Sequence, residues 1–151
     1  MVTAQAVKNL REKTGCSMIE CKKALEESHG DEAKAMEVLN ARGAEIAGKK
    51  ADRQIKAGLI DSYIHSNGKL GVLLELGCET DFVAKNENFK NLSHEICLQI
   101  SALNPQDINE LLIQPYIKNP QQTIQDLINE AIARIGENIK VGRFARFEIQ
   151  D

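Results

Sequence analysis

The chain has 151 residues, 42% of them hydrophobic and 27% charged, with only three prolines, a balance that argues against disorder or a fibrous repeat. It fits one domain of ordinary size, or a small module joined to a core. The net charge of −3 lacks the basic character usual in nucleic-acid binders, so no nucleic-acid partner is expected.

That charge is uneven. Residues 1–56 carry 11 Lys and Arg against 9 Asp and Glu, whereas residues 57–151 carry 8 against 13, an asymmetry that suggests two modules. The N-terminus has no signal-like apolar region and no run approaches membrane-spanning length, so no membrane association is expected. Cys16, Cys21, Cys78 and Cys97 form no C-x-x-C and no zinc spacing. A reduced, cytoplasmic setting is the expectation.

In chain order, the first fifty residues read as three short helices. Thr3 is placed to cap the first, whose Ala6, Val7 and Leu10 have helical spacing before Thr14-Gly15. Ser17 with Glu20 three residues on is a capping-box pattern opening the second, ended by His29-Gly30. Asp31 caps a third, with Ala35, Met36, Val38 and Leu39 on it and Gly43 as its expected stop. Three such helices bury little and suit a docking module, assigned to residues 1–51, with a charged linker over 52–56.

From residue 57 the period changes. Two strand-like runs flank Asn67-Gly68, a strong hairpin signal. In the second run Leu70, Val72, Leu74, Leu76 and Cys78 alternate onto one face, with Gly71, Leu73, Glu75 and Gly77 on the other. After a loop, Phe89, Leu92, Ile96, Ile100 and Leu103 define an amphipathic helix ended by Asn104-Pro105. A short helix is expected over 107–113, a further one from Ile124 to Gly136, and a last strand over 139–149. The fold class is therefore α+β: a three-helix bundle, then over 57–151 a three-stranded antiparallel sheet with helices on one face.

No Gly-rich phosphate loop, GxSxG or HExxH occurs. His29, His65 and His94 lie in separate elements and read as surface residues. Cys78 ends a strand just before a loop, which suits a nucleophile, but it continues the apolar Leu70–Leu76 face, which suits an inert buried thiol. Asp81 has no partner for acid–base work at a legible spacing. Phe82 in a strand-to-helix loop has two readings, a hydrophobic plug beneath the helix or a ring held out for a partner.

Two segments, LREKTGCSMIECKKAL (10–25) and ELGCETDFVAKN (75–86), resemble the signature regions of the elongation factor Ts family, and IGENIKVGRF (135–144) resembles its C-terminal part. The resemblance spans almost the whole chain, with Gly77 where the family usually has Asn, and fits the short form with one core unit. It implies a UBA-like N-terminal bundle and guanine-nucleotide exchange on elongation factor Tu, without enzymatic chemistry or a cofactor of its own. The protein would act on the GDP and magnesium held by that partner. It further implies that Asp81 and Phe82, flanked by Thr80 and Val83, insert near the partner's magnesium site, and that Arg11, Met18 and Ile19 dock the bundle. A homodimer would supply the second core unit. Two rivals remain at this point, a UBA-like interaction module on an unrelated scaffold and a Cys78-dependent enzyme, while the acidic core argues against a third, an RNA-binding factor.

Overall fold

A computed structural model describes residues 2–150. Three helices open the chain: α1 (Ala4–Thr14), α2 (Met18–Glu27) and α3 (Glu32–Lys50). Their starts follow the sequence signals. Thr3 accepts from Ala6 N, Ser17 and Glu20 form a capping box, and Asp31 accepts from Lys34 N. Gly15 ends α1 at φ 74°, the left-handed region that a side chain would resist.

One expected stop is wrong. Gly43 lies inside α3, which runs on for seven residues. A Cβ there would lie 3.4 Å from Glu130 N and 3.5 Å from the Asn129 carbonyl carbon, both on α7 (Ile124–Ile135). The glycine therefore permits a close helix crossing, and with no positive φ it terminates nothing. Leu10, Cys21, Leu25, Met36 and Leu39 form the bundle's own apolar cluster, while Ala47, two turns further along α3, already belongs to the main core.

That main core lies between a sheet and its helices. Strands β1 (Ala57–Ile64), β2 (Leu70–Cys78) and β5 (Lys140–Glu148) form an antiparallel sheet in the order β1-β2-β5. Val72, Leu74, Leu76 and Cys78 are buried against α5 (Glu87–Leu103) and α7, through Phe89, Ile96, Ile100, Ile128 and Ala131. The alternation along β2 thus gives the sheet its covered face. A register shift against β5 between Glu75 and Leu76 leaves Gly142 as the extra residue, where a side chain would collide with the Glu75 carboxylate. Among the described residues no helix covers the other face, which exposes Ile60, Ile64, Leu73 and Phe147.

Gly77 departs from the expectation of an open outer face. It is buried, because Ile55 of the linker folds over it and would come within 2.5 Å of a Cβ. Two elements were not expected. One is α4 (Asp81–Ala84), in a stretch whose sequence reads as a loop; the other is the hairpin of β3 (Pro115–Tyr116) and β4 (Asn119–Thr123), which follows α6 (Ile108–Ile113). The hairpin is held from outside. Buried Gln99 donates to Pro115 O at 3.0 Å and accepts from Ile117 N at 3.0 Å, replacing a strand neighbour. No helix of the described residues is long and apolar enough to cross a membrane.

The α3–α7 crossing makes a graded prediction. Gly43→Ala places a methyl at ordinary contact distance and improves helix propensity, so it should stabilise the fold by up to about 1 kcal/mol. Gly43→Leu must push the helices apart and should cost about 1–3 kcal/mol. Urea denaturation midpoints of the two variants check both signs.

Candidate functional site

The site is built around the connection from β2 to α5. Cys78 is fully buried at the end of the strand, and its thiol donates to Thr80 O at 3.2 Å. Burial first, then the Glu137 carboxylate, pushes the thiol pKa up. A buried thiol held in the protonated form is a packing residue and does not suit nucleophilic work.

Beyond Cys78 the backbone leaves the sheet, and its N–H groups need new partners. They find them 58 residues along the chain. Glu137 Oε1 accepts from Glu79 N and from Thr80 N, each at 3.0 Å, and Glu137 Oε2 accepts from the Thr80 hydroxyl at 2.8 Å. The exchange is mutual, since Glu79 Oε2 accepts from Asn138 N at 2.6 Å. Arg53 Nη1 lies 3.7 Å from the same Glu79 oxygen, and Asn138 Nδ2 donates to Arg53 O at 2.9 Å and Ala51 O at 3.3 Å. Three segments distant in sequence are latched together here: the linker, the β2–α4 turn and the α7–β5 turn.

The latch sets Thr80 as the N-cap of α4, its Oγ1 accepting from Val83 N at 3.3 Å. A single helical turn this short has no stability of its own and depends on such a cap and on burial of one face. Val83 and Ala84 supply that face in the main core. Phe82 points away from it and is 84% exposed, and Asp81 is exposed beside it. The plug reading of Phe82 is therefore overturned, because Val83 fills the place under the turn. The family resemblance also puts Val83 at the partner contact; at 6% exposure it anchors α4 from beneath.

The bundle residues sit elsewhere. Met18 and Ile19, in the first turn of α2, are 55% and 69% exposed, and Arg11 is exposed in the last turn of α1. The turn between these helices is tied to α7, with Arg134 Nη1 donating to Gly15 O at 3.1 Å and the buried Cys16 thiol 3.9 Å from Glu130 Oε1. Asp81 and Phe82 thus ride on α4, packed against the sheet and α5, whereas Arg11, Met18 and Ile19 ride on the bundle. Among the described residues, no group of three or more His, Cys, Asp and Glu is placed to hold a metal ion.

Reading the sequence alone missed Glu79, Arg53, Glu137 and Asn138. One signal was present: Glu-Asn directly follows Gly136, the left-handed C-cap of α7, and precedes a strand, where polar side chains commonly serve a neighbouring backbone.

Glu130 gives a pH prediction. Burial pushes its carboxyl up to about 7, with Arg134 opposing the rise, Glu20 reinforcing it and the Cys16 hydrogen bond opposing it. The folded state then holds this proton more tightly than the unfolded state. The stability from protonation is complete below about 4.5 and is lost as the pH rises through about 7. Glu130→Gln should flatten that decline, as measured by denaturation midpoints from pH 5 to 8.

Residues 79–151 match the sequence model of a family described as Elongation factor TS. Elongation factor Ts of Thermoanaerobacter sp. (strain X514) is 44% identical over an aligned length of 193 residues, covering 98% of this chain and 95% of the relative. The protein of that name from Oleidesulfovibrio alaskensis is 43% identical, covering 98% of each chain, and that from Thermodesulfovibrio yellowstonii is 44% identical, covering 98% and 96%. The aligned length exceeds the 151 residues of this chain, so these relatives carry internal segments that it lacks. Identity at this level across nearly all of both sequences means that this chain belongs to the elongation factor Ts family of translation elongation factors.

Proposed function

We propose that this protein promotes GDP release from elongation factor Tu by inserting Phe82, with Asp81 beside it, into the partner's nucleotide domain near its magnesium site. The observation that carries the reading is a phenyl ring 84% exposed on a helical turn pinned at its cap and along its buried face. A single soluble domain gains nothing by holding such a ring in water, whereas a partner surface that buries it does.

The mechanism needs no covalent step and no cofactor of the protein's own. GDP is held by phosphate contacts and by magnesium, whose charge offsets the phosphates. A wedge loosens GDP only to the extent that it binds the distorted, nucleotide-free partner better than the GDP-bound one. The effect is reciprocal, so GDP weakens this protein's binding by the same factor. Phe82 supplies desolvated apolar contact and Asp81 a charge beside the closed phosphate site. Met18, Ile19 and Arg11 hold the bundle on the same partner, and Thr80 positions the turn. The packing of α3 against α7 supports bundle and core acting together and weighs against a separate module on an unrelated scaffold. A cytoplasmic setting follows from this role.

We also propose that two copies associate through the helix-free face of the sheet. Its support is the exposed set Ile60, Ile64, Leu73 and Phe147, and two grooves of about 580 and 540 Å³ on that side of the sheet. A homodimer would cover that face and supply a second core unit.

Release of a fluorescent GDP analogue from elongation factor Tu tests the function. Wild type should accelerate it, and Phe82→Ala should weaken binding to the nucleotide-free partner by about 2 kcal/mol, roughly 30-fold. No acceleration by wild type would refute exchange, and full acceleration by an Asp81→Ala/Phe82→Ala variant would refute the wedge. Light scattering at micromolar concentration should give twice the 16.7 kDa chain mass, and a mass of one chain would refute the dimer.

A further inference from the structure

We propose that Glu137 is a positioning residue for nucleotide exchange, acting through Thr80 on Phe82. The inference rests on the exchange reading above and adds to it a residue that touches neither nucleotide nor partner. Its basis is the direction of the hydrogen bonds. A carboxylate can only accept, so Glu137 Oε2 accepts a hydrogen bond from the Thr80 hydroxyl at 2.8 Å, which leaves a lone pair of that oxygen for Val83 N–H at 3.3 Å. Glu137 Oε1 meanwhile fixes the two preceding amides, of Glu79 and Thr80. The residue before the helix and the helix cap are therefore set by one side chain, and Phe82 begins the second position of a four-residue helix.

The consequence for exchange is kinetic and specific. With the latch intact, Phe82 is presented in one orientation before contact, so insertion orders nothing further in this loop. With the latch broken, only a fraction of molecules present the ring correctly, and the step that uses the ring is reduced by that fraction. Initial docking through Met18 and Ile19 lies on the bundle and is untouched. Glutamine at 137 is nearly isosteric but presents an N–H₂ where Oε2 stood. That group donates to Thr80 Oγ1 and leaves the hydroxyl proton without its carboxylate acceptor, so the bond that aimed the Thr80 lone pair at Val83 N–H is lost. The linker is tied separately, by Glu79 with Asn138 and Arg53, through bonds that do not use the Glu137 side chain and that Glu137→Gln leaves in place.

GDP release from elongation factor Tu, titrated with Glu137→Gln, Thr80→Val and Thr80→Ser, tests this. Glu137→Gln should lower the maximal release rate about tenfold, the effect of about one charge-assisted hydrogen bond, and leave the half-saturating concentration within about twofold. Thr80→Val should match it and Thr80→Ser, which keeps the hydroxyl, should restore most of the rate. Amide hydrogen exchange on the free protein should show Val83 N–H opening faster in Glu137→Gln while the β2 amides keep their protection. An unchanged maximal rate in Glu137→Gln, a loss confined to half-saturation, or β2 amides that open together with Val83 would each overturn the positioning role. If wild type itself does not accelerate release, the exchange reading fails and this role fails with it. An active wild type with an equally active Glu137→Gln removes the positioning role alone.

Discussion

A carboxylate that satisfies the amides of a chain leaving a sheet is the constraint on which the rest of this site depends. Where β2 ends, Glu79 and Thr80 have lost their strand neighbours, and Glu137 takes both amides and the Thr80 hydroxyl together. Unpartnered, those groups would turn to water and the turn would loosen. Held, they convert Thr80 into a cap, and the cap makes a helix of α4. A turn with Val83 and Ala84 beneath it must carry its remaining apolar residue outward, and that residue is Phe82. Exposure of the ring is thus a consequence of hydrogen bonding at its base, not of slack in the loop.

A second constraint orients the bundle. Helix α3 serves two cores, its N-terminal half closing the bundle through Ala35, Met36 and Leu39 and its C-terminal half reaching the main core at Ala47. Gly43 marks the crossing with α7, and Arg134 and Glu130 of α7 extend the attachment to the α1–α2 turn. That turn carries Met18 and Ile19 immediately after it. The two exposed groups assigned to partner contact therefore hang on one continuous frame, with α7 tied to the bundle along its length and followed by the Glu137 latch at its end.

Much of this was legible because it is local. Capping residues Thr3, Ser17 and Asp31, the alternation along β2 and the helical period from Phe89 to Ile100 each write their element within a few residues, and the elements appeared where those signals put them. Gly43 misled because a glycine reads as a stop, whereas here the deciding contact is with a helix over eighty residues away. The β3–β4 hairpin left no periodic trace: two strands of two and five residues carrying Pro115 and Pro120 are held by the Gln99 side chain, which no propensity records. Phe82 shows the limit most clearly. Spacing alone left its plug and partner readings open, and only its neighbour Val83, seen in three dimensions, decides which ring or side chain fills the space below.

A double-mutant cycle measures directly whether Glu137 acts on exchange through Phe82. Wild type, Glu137→Gln, Phe82→Ala and the double variant would be compared for the maximal rate of GDP release from elongation factor Tu. Strong coupling is expected: once Phe82 is alanine, replacing Glu137 should cost little more, because no ring remains to be positioned. Losses that simply multiply, with Glu137→Gln as harmful without the ring as with it, would show that Glu137 does not act through Phe82.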